Sequence, residues 1–277
     1  MRHILRTQEA FVRFAQEALF AERWARAPHF LQSLDVRIKL AGLAAVLVTI
    51  SLIHGLFGLG AMAAAALGLA LVSGLGARGL RHPLWWAGPG FAILISLPAI
   101  FNLFSPGKAA LILLPHPFFA VTYPGLEIAG RLVLRVTASV WWAGAVLLSS
   151  RWERVLAALR SMRIPALFVF ALAMAYRYLF LFVRLSEKGL YARRSRALLP
   201  ASAATERGLI GVKVASLFRR SFALATKVHE AMISRGFTGE YRTLEGFRLR
   251  ARDVGWGVVI LLFCAGIWLL DRSGGLG

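Results

Sequence analysis

The sequence predicts an all-α integral membrane protein, with about five transmembrane helices and a cytoplasmic helical coupling region that contains two long helices. Three observations carry this. Hydrophobic residues make up 58% of the 277 positions and mean hydropathy is +0.65, more apolar than a soluble domain of this length. The apolar residues fall in long uncharged runs. Lys and Arg number 33 against 13 Asp and Glu, a formal net charge of +20, and 20 of the 33 lie between Arg151 and Arg252. In a membrane chain such a bias fixes orientation, because basic residues collect in cytoplasmic loops. A basic nucleic-acid binder would not need the uncharged runs. The single cysteine, Cys264, rules out an intramolecular disulfide and a cysteine-cluster metal site.

Residues 1–39 are charged throughout and lack an apolar core followed by a small-residue cleavage site. They read as a cytoplasmic segment, with the first hydrophobic span serving as an uncleaved insertion signal. Residues 40–149 form a membrane domain of four spans. Leu40 to Ala77 carries no charge and is long enough for two helices, with Gly55, Gly58 and Gly60 marking the hairpin. Pro83 to Gly107 is a third span, its Trp85 and Trp86 placed as an interface belt. Pro106 to Gly125 holds Pro115, Pro117 and Pro124, which disfavour a straight helix, and reads as an irregular external excursion. Leu126 to Ser149 is the fourth span despite Glu127, Arg131 and Arg135, which belong near its outer end or inside the bundle.

Residues 150–253 form the cytoplasmic coupling region, too long to lack structure of its own. Arg151 to Met162 carries a helical apolar stripe of Trp152, Val155, Leu156 and Leu159, ending at Pro165. A long helix is expected from about Ala166 to Leu199, stopped by Pro200, and a second from about Ser202 to Arg235 with Gly236 as its C-cap. The Pro165 to Val183 stretch decides the topology. Its uninterrupted apolar part is only about 12 residues, which suits a buried or interfacial helix. Crossing there would also put one basic flank outside. The stretch is therefore expected not to cross. Residues 254–277, with the apolar run Val254 to Leu270, then supply a fifth span and an external C-terminus.

Two arginine signatures close the two long helices, Tyr191-Ala192-Arg193-Arg194-Ser195-Arg196-Ala197 and Ser234-Arg235-Gly236-Phe237. Neither holds a carboxylate, thiol or imidazole for chemistry, so their expected role is mechanical or recognitional. Arginine suits docking into acidic grooves because its planar fork pairs bidentately with carboxylates. Arg before Gly is also a common helix end, and basic clusters also bind anionic lipid headgroups. The six histidines are scattered without ligand spacing. Asp35, Asp253 and Asp271 lie far apart at span edges, which disfavours a membrane-embedded enzyme. Glu127 alone is a candidate intramembrane site for a self-sufficient secondary transporter, and no repeat accompanies it.

With these motifs the chain resembles the transmembrane T component of energy-coupling-factor (ECF) transporters, the EcfT/CbiQ family. The resemblance rests on a pair of Ala-Arg-Gly-like triplets. The second stands as Ser234-Arg235-Gly236, and the first is best matched by Ser195-Arg196-Ala197, with Ala192-Arg193-Arg194 competing and Arg193 as alternative anchor. The Leu31 to Leu40 segment, Arg163-Ile164-Pro165 and Arg177-Tyr178 add to it. The N-terminal region, with Phe20-Ala21-Glu22, looks most like the cobalt/nickel branch. The resemblance implies a non-catalytic coupling subunit in the cell membrane. It would join two ATP-binding cassette ATPase subunits, docked through the two triplets, to a membrane-embedded substrate-binding subunit, with a transition metal or a vitamin as cargo. It also implies that this chain binds no cofactor. The chain has no Gly-x-x-x-x-Gly-Lys-Ser/Thr loop, and ATP with Mg²⁺ would sit on the partners.

Overall fold

The computed structural model describes residues 29–74, 83–100, 109–112, 120–162, 164–195, 203–239 and 249–274. They divide into two units, one holding the residues up to Arg151 together with those from Leu249 onward, the other those from Trp152 to Gly239. The first unit contains helices α1 (Val36–Leu52), α2 (Leu56–Val72), α3 (Pro83–Ile100) and α4 (Tyr123–Leu148), with strands β1 (Ala109–Ile112) and β2 (Ala120–Thr122) between α3 and α4. The second contains α5 (Trp152–Ser161), α6 (Ala166–Arg194) and α7 (Ala203–Ser234). The chain then returns to the first unit as α8 (Ala251–Gly274).

α1 begins where the Asp35 carboxylate accepts the N–H of Arg37 at 2.9 Å, a side-chain N-cap that satisfies one of the four free donors of a helix start. The N–H of Asp35 in turn donates to Asp253 Oδ1 at 3.2 Å. Asp253 Oδ2 accepts the N–H of Arg250 at 2.9 Å, capping α8. At the other end, both oxygens of Asp271 accept the N–H groups of His54 and Gly55, at 3.0 and 2.8 Å, where α2 starts. A carboxylate at a helix N-terminus also meets the positive end of the dipole. α8 is thus tied to the beginning of α1 by Asp253 and to its end by Asp271, and the two helices run parallel. Glycines allow the close approach: a Cβ on Gly42 would lie 3.2 Å from Ile260 Cδ1, and one on Gly257 3.1 Å from Ile38 Cγ2.

The other helices take their directions from equally specific contacts. Gln32 donates to the Ser73 carbonyl at 3.1 Å, bringing the end of α2 back to the start of α1. Lys39, only 1% exposed, donates through Nζ to the Ser149 carbonyl and to Ser150 Oγ, both at 3.3 Å. A cation at the C-terminal end of α4 is favoured by the dipole. Arg135 Nη2 donates to the Ile53 carbonyl at 2.7 Å, at the far end of α1, so α4 runs antiparallel to α1. Adjacent tryptophans on α4 reach two neighbours: Trp141 donates to the Trp85 carbonyl of α3 and Trp142 to the Met62 carbonyl of α2, each at 3.0 Å. The core is rich in small residues, Ala63, Ala66 and Ala70 of α2 against Ala138 and Ala145 of α4. Lipid offers no hydrophobic drive for helices to associate, so close packing of small side chains supplies the contact. Large apolar side chains such as Phe57, Val72, Phe91, Leu94 and Leu262 face outward, the arrangement of a bundle dissolved in lipid.

Several expectations are corrected. Gly55 lies in the α1–α2 turn, but Gly58 and Gly60 are inside α2. Gly58 is there for packing, since a Cβ would sit 2.9 Å from Ile53 Cγ2. Trp85 is a core residue, 2% exposed, while Trp86 is 62% exposed. The Pro106 to Gly125 excursion is not wholly irregular: β1 and β2 pair antiparallel, with Ile112 opposite Ala120. Arg131 pairs with Glu127 on a half-exposed helix face, while Arg135 goes to α1 instead. The length ground for a non-crossing Pro165 to Val183 stretch also fails. α6 continues unbroken through Arg177, and its Ala166–Gly189 part, with a mean hydropathy of 2.0 over its most apolar 18 residues, is long and apolar enough to cross a membrane. One arginine does not end such a run, because its long stem lets the charge reach the interface. Tyr123–Leu148 and Ala251–Ser273 also meet that length and composition, whereas α2 and the Trp85–Ala99 part of α3 are shorter apolar helices.

Removing a tie of α8 should register directly as stability. Asp253→Ala and Asp271→Ala each leave exposed or part-buried N–H groups at a helix start without their side-chain acceptor, the loss of a cap, which costs about 0.5–2 kcal/mol per site. The two sites are about 27 Å apart along α8 at 1.5 Å per residue, so the losses should add within about 0.5 kcal/mol. Unfolding of the detergent-solubilised single and double variants measures this. A loss confined to one site would mean that only one end of α8 is held.

Candidate functional site

The second unit is built on an amphipathic α5, which packs its apolar face against α6. Trp152 lies 5.5 Å from the Tyr176 ring of α6, centroid to centroid, and Tyr176 meets Phe180 edge to face at 5.2 Å. α6 is 29 residues long and α7 32. Both line a cavity of about 320 Å³, walled by Phe170, Met174 and Phe182 from α6 and by Leu224, Val228 and Met232 from α7.

α7 ends in a Schellman cap. Gly236 has φ +81°, a backbone conformation that costs a residue with a Cβ roughly 1–2 kcal/mol. The N–H of Gly236 donates to the Ile233 carbonyl at 2.9 Å and that of Phe237 to the Met232 carbonyl at 3.0 Å, the two bonds that define this motif. The chain turns back at Phe237, whose ring stacks on Phe170 of α6 with centroids 5.4 Å apart and an interplanar angle of 26°. Arg235 sits at the helix end, exposed. Its position favours a cation beside the free carbonyls.

The first signature shares one local device with the second. Ser195 Oγ donates to the Tyr191 carbonyl at 2.8 Å, and Ser234 Oγ to the Glu230 carbonyl at 2.9 Å. Each serine is therefore satisfied by its own helix, four residues back, just before its arginine. Ala192 is exposed on the last turns of α6. Arg196, Ala197 and the side chain of Arg193 lie outside the described residues, as does the expected stop of α6 at Pro200. α6 begins beside the end of α7, where Phe170 meets Phe237. Ser195 is 25 residues further along, about 37 Å of helix, so the two signatures stand tens of ångströms apart.

Sequence reasoning named Phe237 within the second signature but missed its contact with Phe170. A signal existed: the residue after a C-cap glycine commonly makes an apolar contact with the last turn, and Phe237 follows Gly236. The three aspartates flagged at span edges all prove to be helix ties. Among the described residues, no group of three or more His, Cys, Asp or Glu side chains is arranged to hold a metal ion.

Comparison with known proteins agrees with this architecture. The chain is 27% identical over 268 residues, 97% of its own length and 92% of the other's, to an uncharacterized protein of Methanocaldococcus jannaschii. Residues 28–244 match the family model CbiQ, described as a cobalt transport protein. That interval takes in α1 to α7 and both arginine signatures. A membrane transport component, whose described helices include three long and apolar enough to cross a bilayer, this chain belongs to the CbiQ family of cobalt transport proteins.

Proposed function

We propose that the chain is the transmembrane coupling subunit of an ECF-type ABC importer. It would link ATP hydrolysis on two partner ATPase subunits to a membrane-embedded substrate-binding subunit that takes up cobalt or nickel. The observation that carries this reading is Arg235, held exposed at the end of α7 by a rigid cap, with Ser195 of the first signature just past the end of α6, about 37 Å of helix away. Two signatures so separated suit two binding grooves on two subunits, one arginine each. The docking set is Ser195, Arg196 and Ala197 on α6, with Ala192 and Arg193 as the alternative placement, and Ser234, Arg235 and Gly236 on α7. ATP and Mg²⁺ belong to the ATPase partners in this reading, and the metal ion is cargo.

The proposed orientation has a cytoplasmic N-terminus, an external C-terminus and a cytoplasmic coupling region. α4 ends and α8 starts at the same end of the bundle, beside Lys39 and Asp35 in the first turn of α1. Whatever lies between must then cross the membrane an even number of times. α7 is not among the helices apolar enough to cross, and carries Arg219, Arg220, Lys227 and Glu230. α6 crossing alone would break the parity, so α6 is read as lying in the cytoplasmic interface with its apolar face toward lipid or a partner subunit.

Charge reversal tests the docking. Arg196→Glu and Arg235→Glu replace a bidentate pair by repulsion, a loss of about 2–5 kcal/mol of docking free energy each. Co-purification of the ATPases and ATP-dependent cobalt and nickel uptake should both fall, most in the double variant. Retention of both by the double variant would overturn the reading. Orientation is tested by single cysteines at Ser186 and Ser202 after replacement of Cys264. An impermeant thiol reagent should reach neither position from outside intact cells, and labelling at 186 from outside would refute a cytoplasmic α6.

A further inference from the structure

Within the second unit, α6 and α7 are separated along part of their length by the apolar cavity of about 320 Å³. Side chains across a void have no partner atoms and pass on no displacement, whereas close-packed contacts do. At the end of that cavity Phe170 and Phe237 stack nearly parallel, 5.4 Å between centroids. Phe237 is fixed by the backbone: two hydrogen bonds and the left-handed Gly236 set its direction two residues after Arg235. Phe170 lies in the second turn of α6, and Val169 beside it is only 4% exposed. A pull on the Arg235 turn is therefore delivered first to the start of α6, through one ring pair.

We propose that Phe237, through its stack on Phe170, is the positioning residue that transmits movement of the Arg235 turn to α6. This inference rests on the docking reading given above. Phe237 is not itself part of the docking surface, because its ring faces the cavity and α6 while Arg235 faces solvent. Without the stack, α7 can follow an attached ATPase while α6 does not, so hydrolysis and transport come apart. The cap survives the loss of the ring, since both of its hydrogen bonds are made by main-chain atoms.

The test uses the whole importer, purified through this chain and reconstituted in liposomes, with metal uptake per ATP hydrolysed as the readout. Phe237→Ala should keep the ATPase subunits and their hydrolysis but lower uptake per ATP about tenfold, the size expected when one stacked, half-buried aromatic contact is lost. Phe237→Tyr, which keeps the ring, should restore the ratio. Phe170→Ala should match Phe237→Ala, and the double variant should be no worse than either, because both remove one shared contact. An unchanged ratio in Phe237→Ala would overturn the proposal. So would loss of the ATPases from that variant, which would make Phe237 part of the dock. Failure of the underlying reading looks different: the unaltered chain would then purify without ATPase subunits.

Discussion

The first turn of α1 is the constraint on which the rest of the chain depends. Asp35 and Lys39 are four residues apart, one helical turn, and between them they hold the start of α8 and the end of α4. Lys39 is almost wholly buried, where an unpaired ammonium would be very costly. It stays because Ser149 and Ser150 present oxygens at the C-terminal, negative end of α4. The segment of some hundred residues that carries the arginine signatures is therefore tethered at two neighbouring points.

The two units solve different solvation problems. In the first, small side chains meet inside and large apolar ones face out, which suits a solvent of hydrocarbon. α7 has no such division. It exposes Phe218 and Phe222, which touch edge to face at 4.8 Å, beside the exposed Arg219 and Arg220. A helix that shows aromatic rings and cations on adjoining faces fits neither water nor hydrocarbon alone. It fits a boundary, where rings can enter an apolar partner or the acyl region while guanidinium groups stay with water, phosphates or carboxylates.

What was legible in the sequence follows the range of the forces involved. The uncharged run Val254 to Leu270 gave α8 to within four residues of each end, because the cost of burying charge in lipid acts residue by residue. Gly236 as a C-cap was legible because the cap is local, closed within six residues. Gly58 was misread for the opposite reason: in membrane helices glycine also serves close packing, and only the neighbour Ile53 tells which. Trp85 was misplaced at the interface because nothing local reveals that Trp141 and Gly144 lie beside it. The ties made by Asp253 and Asp271 join residues more than 200 positions apart, and no periodicity reports them. The apolar length of α6 was undercounted by taking only its uninterrupted residues, although one arginine interrupts the count and not the helix.

The same logic explains why the proposed docking elements end helices. An arginine on a loop would lose much of its freedom on docking, and that ordering opposes binding. Placed one residue beyond a serine that bonds its own helix, with a glycine cap behind it, Arg235 emerges from a backbone that is already fixed. The helix behind it is stiff over 32 residues, so a force on the guanidinium becomes a displacement of the whole rod and not a local adjustment. A rod alone carries motion only along itself. The step that gives the unit its mechanical character is the return of the chain at Gly236, which lays Phe237 against the beginning of the other long helix and makes two rods answer to one anchor.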